Sequence, residues 1–84
     1  MNKRSFEKFL QVLKENRLRR DVERTALKRF VSLRDLYEGA RTPSVVSARR
    51  EVYKQLNKKG KSINEIARLF DRAPSGVLKL LGSS

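Results

Sequence analysis

The chain has 84 residues, of which 21 are Lys or Arg and 9 are Asp or Glu, so its formal net charge is +12. This length suits one small domain, and a strongly basic composition indicates a polyanionic partner, of which nucleic acid is the commonest. Cysteine and histidine are both absent, which excludes disulfide scaffolds, thiol catalysis, zinc fingers and histidine-based acid–base relays. We therefore expect a binding module that is not an enzyme and needs no cofactor or metal ion.

The distribution of apolar and charged residues refines this expectation. No apolar stretch approaches the roughly 18 residues that a membrane span requires, so we expect a cytoplasmic protein with neither a membrane nor a small-molecule partner. Ten cations and four anions lie in residues 1–30, against four cations and two anions in residues 61–84. The positive charge is therefore heaviest in the first third of the chain.

The first two predicted elements are amphipathic helices. Ser5 is the expected N-cap of the first helix and Asp21 that of the second. The apolar face of the first helix consists of Phe6, Phe9, Leu10 and Leu13. That of the second consists of Val22, Ala26, Leu27, Phe30 and Val31. Phe6 and Phe9 are expected in the core or in a dimer contact.

Two more helices are predicted in the middle of the chain. Ser32 begins a short one with Asp35 at its third position, and Gly39 ends it. Pro43 disfavours helix at the residue before it, so we expect a loop over residues 40–43 and a longer helix capped by Ser44 and ended by Gly60. The residues predicted to point inward are Leu33, Leu36, Tyr37, Val45, Ala48, Val52, Tyr53 and Leu56.

The last quarter of the chain carries the clearest local signals. Ser62 and Glu65 form a capping box pattern, Asp71 takes a turn position that favours a left-handed residue, and Pro74 suits the first turn of a final helix. The apolar residues here are Ile63, Ile66, Ala67, Phe70, Val77, Leu78 and Leu81. With no strand-like alternation, the sequence predicts a compact all-α fold of five or six helices. We divide it into an amphipathic helix at 1–20 and a domain at 21–82.

Two short helices joined by a three-residue turn follow the plan of a helix-turn-helix. Ala67 would let the two helices approach closely, and their angle would be set by Ile66, Phe70, Val77 and Leu80. Together with the segments 30–37, Arg41, 45–56 and 65–70, this pattern resembles the C-terminal DNA-binding domain of the bacterial replication initiator DnaA, in the Trp-repressor-like group. The resemblance covers about residues 21–81 and implies a module that binds double-stranded DNA, in a replication, phage, transposon or other regulatory setting.

The resemblance also implies roles for individual residues. Arg41 would enter the minor groove, and Arg49 and Arg50 would lie near phosphates. The start of the first motif helix, at Ser62–Asn64, would offer backbone amides to a phosphate. Independently of the resemblance, we expect Lys61 to contact a DNA phosphate because it lies directly beside this motif. The recognition helix would cover about residues 74–81. At its start the family has the sequence Arg-Asp-His-Thr-Thr, and the corresponding residues 72–76 of this chain are Arg-Ala-Pro-Ser-Gly.

In that segment Arg72 and Ser75 keep hydrogen-bonding capacity. Arg72 would pair with a guanine edge, whereas Ala73 and Pro74 would touch thymine methyl groups. Lys79 would face outward on the same helix. The expected DNA-binding set is Arg41, Arg49, Arg50, Lys61, Ser62, Asn64, Arg72, Ala73, Pro74, Ser75 and Lys79.

Two alternatives remain open from the sequence. The apolar replacements at Ala73 and Gly76 favour a protein–protein adaptor derived from a helix-turn-helix, which would dock or dimerise through residues 1–20. The second alternative is association with RNA or the ribosome. No aromatic residues are interleaved with the basic ones as a stacking platform for it, and Tyr37 and Tyr53 are expected in the core.

Overall fold

The computed structural model describes residues 3–39 and 41–82, and within these ranges the fold is all-α, without a strand, as the sequence predicted. Six helices follow one another in the described part of the chain: α1 (Lys3–Glu15), α2 (Arg19–Lys28), α3 (Leu33–Glu38), α4 (Pro43–Lys58), α5 (Ile63–Leu69) and α6 (Pro74–Gly82). No helix among these is long and apolar enough to cross a membrane.

One apolar core receives side chains from all six helices. Its centre is aromatic: the ring of Phe9 lies 4.8 Å from that of Tyr37 and 5.0 Å from that of Phe70, and Phe70 lies 5.0 Å from Tyr53 between centroids. The apolar face of α1 is therefore occupied by the core, and Phe9 is a core residue rather than part of a dimer contact. A partner docking on α1 would have to use the helix's polar outer face.

Polar contacts align α2 antiparallel to α4. Lys59, which follows α4, pairs with Asp21 at the start of α2, Gln55 donates a hydrogen bond to Thr25 (2.8 Å), and Glu51 accepts one from Arg29 (3.2 Å). The partner numbers on α4 fall as those on α2 rise, so the two helices run in opposite directions.

The helix caps were predicted correctly where the signal was local. Ser32 accepts the Asp35 amide at 3.0 Å, and Gly39 ends α3 in the left-handed conformation with φ 76°. Ser62 and Glu65 form the predicted capping box. Asp71 has a φ of 53°, and Pro74 is the first residue of α6.

Three predicted caps were wrong because each helix begins earlier than expected. α1 begins at Lys3, so Ser5 lies inside it. α2 begins at Arg19, since buried Leu18 returns its amide to the Leu13 carbonyl (2.8 Å) and restarts the helix at once, which places Asp21 in the first turn.

The third wrong cap concerns the start of α4. Its N-cap is Thr42, whose hydroxyl accepts the Val45 amide at 3.4 Å, and Ser44 is already helical. Pro43 explains the difference, because its missing N–H costs nothing at the first helical position.

Three large apolar residues are exposed, namely Leu27 (77%), Phe30 (97%) and Leu78 (61%), and the first two were predicted on the apolar face of α2. α2 ends at Lys28, and Phe30 takes a left-handed conformation (φ 57°) that reverses the chain, so Val31 enters the core in its place. In α6, Val77 takes the buried position, and the next residue is rotated by about 100° towards solvent.

Candidate nucleic-acid interface

Two of the predicted DNA-contacting arginines meet at the end of α3. A methyl group added at Gly39 would lie 2.6 Å from Nη1 of Arg49 and 2.8 Å from Nη2 of Arg72. Arg49 comes from α4 and Arg72 from the turn between α5 and α6, so the two cations join three parts of the fold. We call Gly39, Arg49 and Arg72 the arginine junction.

Arg72 is held at the junction by backbone carbonyls. Its Nη2 donates to the carbonyl of Tyr37 (3.3 Å) and to that of Glu38, both in the last turn of α3. The final carbonyls of a helix lack partners within it and carry partial negative charge, so a guanidinium there is stabilising. Nothing in the local sequence signals this contact, because 35 residues separate Arg72 from Tyr37. The guanidinium would have to leave these carbonyls to reach a guanine.

Arg49 is directed into the aromatic core. Its Nη2 donates to the Tyr53 hydroxyl at 2.5 Å, and its guanidinium carbon lies 5.5 Å from the centroid of that ring and 5.9 Å from that of Phe70. Burial raises the pKa of Tyr53, and the positive charge of Arg49 opposes the rise. Arg49 therefore fastens α4 to the turn that precedes α6, which is a structural role in addition to the predicted one near phosphate.

Arg41 lies differently from the two arginines of the junction. It is exposed in the segment before Thr42, the N-cap of α4, and no described carboxylate lies within 4.0 Å of it. Its charge is thus available to a phosphate or a groove. Arg50, one residue after Arg49 on α4, is half-buried.

The start of α5 is already supplied with a carboxylate. The Glu65 amide donates to Oγ of Ser62 (3.1 Å), and the Ser62 amide donates to Oε1 of Glu65 (3.3 Å). These contacts with Ser62 lower the pKa of Glu65, so the carboxylate is charged at neutral pH. A phosphate approaching here would meet that negative charge, although both Ser62 and Asn64 are exposed.

Lys61 points toward α1 and not toward α6. Its Nζ donates to Oδ1 of Asn16 (3.2 Å) and lies 3.8 Å from Glu65. It borders an open groove of about 510 Å³ between α1 and α5, whose floor includes Phe9, Val12 and Leu69. The polar contacts of Lys61 are therefore with the residue after α1 and with the first turn of α5, and not with the arginine junction.

The outward face of α6 is open from its first turn onward. Ala73, which precedes the helix, and Pro74, Ser75 and Lys79 within it are exposed, and Ser75 and Lys79 lie one turn apart. Val77, 1% exposed, anchors the opposite face in the core. Leu78 adds an exposed apolar side chain to this helix.

The described residues contain no group of three or more Asp, Glu, His or Cys side chains that would hold a metal ion. No protein-family model, curated protein or solved structure matches this chain. The geometry therefore defines the protein, over its described residues, as a six-helix domain in which the outward face of α6 is exposed and the arginine junction lies at the end of α3.

Proposed function

We propose that this chain is a double-stranded DNA-binding module of the helix-turn-helix kind, similar to the C-terminal domain of the initiator DnaA. In this proposal α5 and α6 are the two motif helices, and α6 enters the major groove while the Arg41 segment reaches the neighbouring minor groove. The observation that carries the proposal is the open outward face of α6 on a strongly basic domain.

The charge pattern supports this assignment. Many of the described carboxylates are engaged by nearby cations, such as Glu23 by Arg19 at 2.6 Å and Glu51 by Arg29 at 3.2 Å. Arg41 and Lys79 have no described carboxylate within 4.0 Å. Cations that are not neutralised within the protein release counterions from DNA, and this release supplies most of the non-specific affinity.

A salt titration with a short blunt duplex tests the proposal. For binding through phosphate contacts, the logarithm of the association constant falls linearly with the logarithm of salt concentration, with a slope of about −0.9 per contact. Contacts from Arg41 and Lys79 alone give about −1.8, so we expect that slope or a steeper one. A slope near zero would refute duplex binding as the function.

Single substitutions test the assigned surface. Arg41→Ala and Lys79→Ala should each weaken duplex binding and make the salt slope shallower by about one contact. Lys14→Ala is the matched control, because it removes the same charge from an exposed position on α1. Equal losses for all three variants would mean that net charge, and not this surface, determines binding.

Arg72 needs a separate control because it also supports the fold. Arg72→Ala should lower both thermal stability and DNA affinity, since it removes donors from the α3 carbonyls. If Arg72 also reads a base, its replacement should weaken binding to a preferred site more than to random duplex. An equal loss on both would assign Arg72 to the junction alone.

A further inference from the structure

The outer face of α2 has an exposed stripe that neither the core nor the proposed duplex contact uses. Arg20, Arg24 and Leu27 are spaced by four and three residues, so they share one face of the helix, and all three are exposed. Phe30 follows directly beyond the helix end with 97% of its surface exposed. We call these four residues the α2 stripe.

Phe30 is held in a conformation that is costly for a bulky residue. Its φ of 57° lies in the left-handed region, which costs an L-residue about 1–2 kcal/mol. The same turn occurs after α4, where the Lys61 amide returns to the Leu56 carbonyl (3.0 Å) as that of Val31 returns to Ala26 (2.8 Å). There the left-handed residue is Gly60, and at the corresponding turns after α1 and α5 it is Arg17 and Asp71, so Phe30 is the one large apolar residue at this position among the described turns. A phenylalanine that is strained and also exposed contributes little to stability, which points to a role in binding.

The charge beside Phe30 favours an anionic partner. Lys28 and Arg29 share the single carboxylate of Glu51, at 4.0 and 3.2 Å, so this group keeps a net charge of +1. Arg20 and Arg24 have no described carboxylate within 4.0 Å. They lie one turn, about 6 Å, apart along α2, which leaves two available cations on the stripe that ends in the aromatic ring.

We propose that the α2 stripe binds single-stranded DNA, with an unpaired base stacked on Phe30 and the strand's phosphates lying along Arg24 and Arg20. An exposed ring beside a basic track is the arrangement by which proteins hold unpaired strands. Leu27, exposed in the last turn of α2, offers an apolar contact to a thymine methyl group or a deoxyribose, and no hydrogen-bonding group for a ribose 2′-hydroxyl. The α2 stripe is separate from α6. This proposal rests on the proposed function only in that each assigns DNA as a ligand of the protein.

Tryptophan fluorescence gives a direct test, because the chain contains no Trp. In the variant Phe30→Trp, a 15-nucleotide oligo(dT) should quench the emission and a blunt 15-base-pair duplex should not. The matched variant Leu78→Trp, on the open face of α6, should respond to the duplex and not to oligo(dT). Quenching of Phe30→Trp by the duplex alone, or by neither DNA, would overturn the stacking assignment.

Affinity measurements complete the test and separate it from folding effects. Phe30→Ala should weaken oligo(dT) binding by about 5- to 150-fold, with duplex affinity changed less than about twofold. Phe30→Gly should lose the same affinity while its melting temperature rises, because glycine relieves the backbone strain. Unchanged oligo(dT) affinity in both variants would overturn the proposal, and equal affinity for oligo(rU) would overturn its assignment to DNA. Failure of the duplex alone to bind would instead refute the proposed function.

Discussion

The substitution Phe9→Ala tests whether α1 is an integral part of the fold. Phe9 is 2% exposed, and its ring touches those of Tyr37 and Phe70 at centroid distances of 4.8 and 5.0 Å. Removing a buried phenylalanine costs about 3–5 kcal/mol. A domain of this size has a free energy of unfolding of about 4–13 kcal/mol, so the variant should lose a large part of its stability.

Urea denaturation followed by circular dichroism measures this loss. In thermal denaturation the same loss of about 3 kcal/mol or more should lower the melting temperature by at least about 12 °C, at roughly 4 °C per kcal/mol for a domain of this length. Lys14→Ala, an exposed change on the same helix, should alter stability by less than about 0.5 kcal/mol. A cost below about 1 kcal/mol for Phe9→Ala would contradict the shared core and restore α1 as a separate docking helix.

Three further predictions concern the turns and caps around the candidate interface, and thermal denaturation measures each. Gly39→Ala should cost at least about 1 kcal/mol, because the φ of Gly39 is 76° and the added methyl group would displace the tips of Arg49 and Arg72 from the junction. A neutral result would contradict both the left-handed conformation and the close approach of the two arginines. Asp71→Gly should raise stability by about 0.5–1 kcal/mol, because φ is 53° there, and a loss would show that the Asp71 side chain matters. Ser62→Ala should cost about 1 kcal/mol at neutral pH. Because the pKa of Glu65 is lower in the folded protein, the stability that its carboxylate contributes is present above the pKa of Glu65 in the unfolded chain and is lost as pH falls through its pKa in the folded protein. Ser62→Ala should therefore lose less stability on acidification than the parent protein. An unchanged acid profile would contradict the capping box.

Local sequence signals predicted the helix ends that depend on neighbouring residues. The Ser62–Glu65 capping box and the Ser32 cap are formed within four residues, so propensity and hydrogen bonding decide them before any tertiary contact exists. The five buried positions of α4 followed from their spacing for the same reason. These features account for the correct fold class.

The wrong expectations share a different cause. Periodicity identifies the apolar face of a helix but does not say where the helix stops, so the spacing predicts Phe30 on the face of α2 although the helix ends at Lys28. Nothing in the sequence signals the arginine junction, because its three members lie 10 to 33 residues apart and only the folded chain brings them together. Long-range contacts of this kind cannot be deduced from spacing.

The cations behind the net charge of +12 have different structural roles. Arg49 and Arg72 are committed to the junction, where they hold α3, α4 and the turn before α6 together. They fix how α6 is presented relative to the Arg41 segment, so under the proposed function their loss would reduce duplex binding even if neither touches DNA. Arg41 and Lys79 have no described carboxylate partner, and a change in either should act on the salt dependence without acting on stability. Comparing stability with salt slope for the same variant thus distinguishes a positioning arginine from a contacting one, which net charge alone could not do.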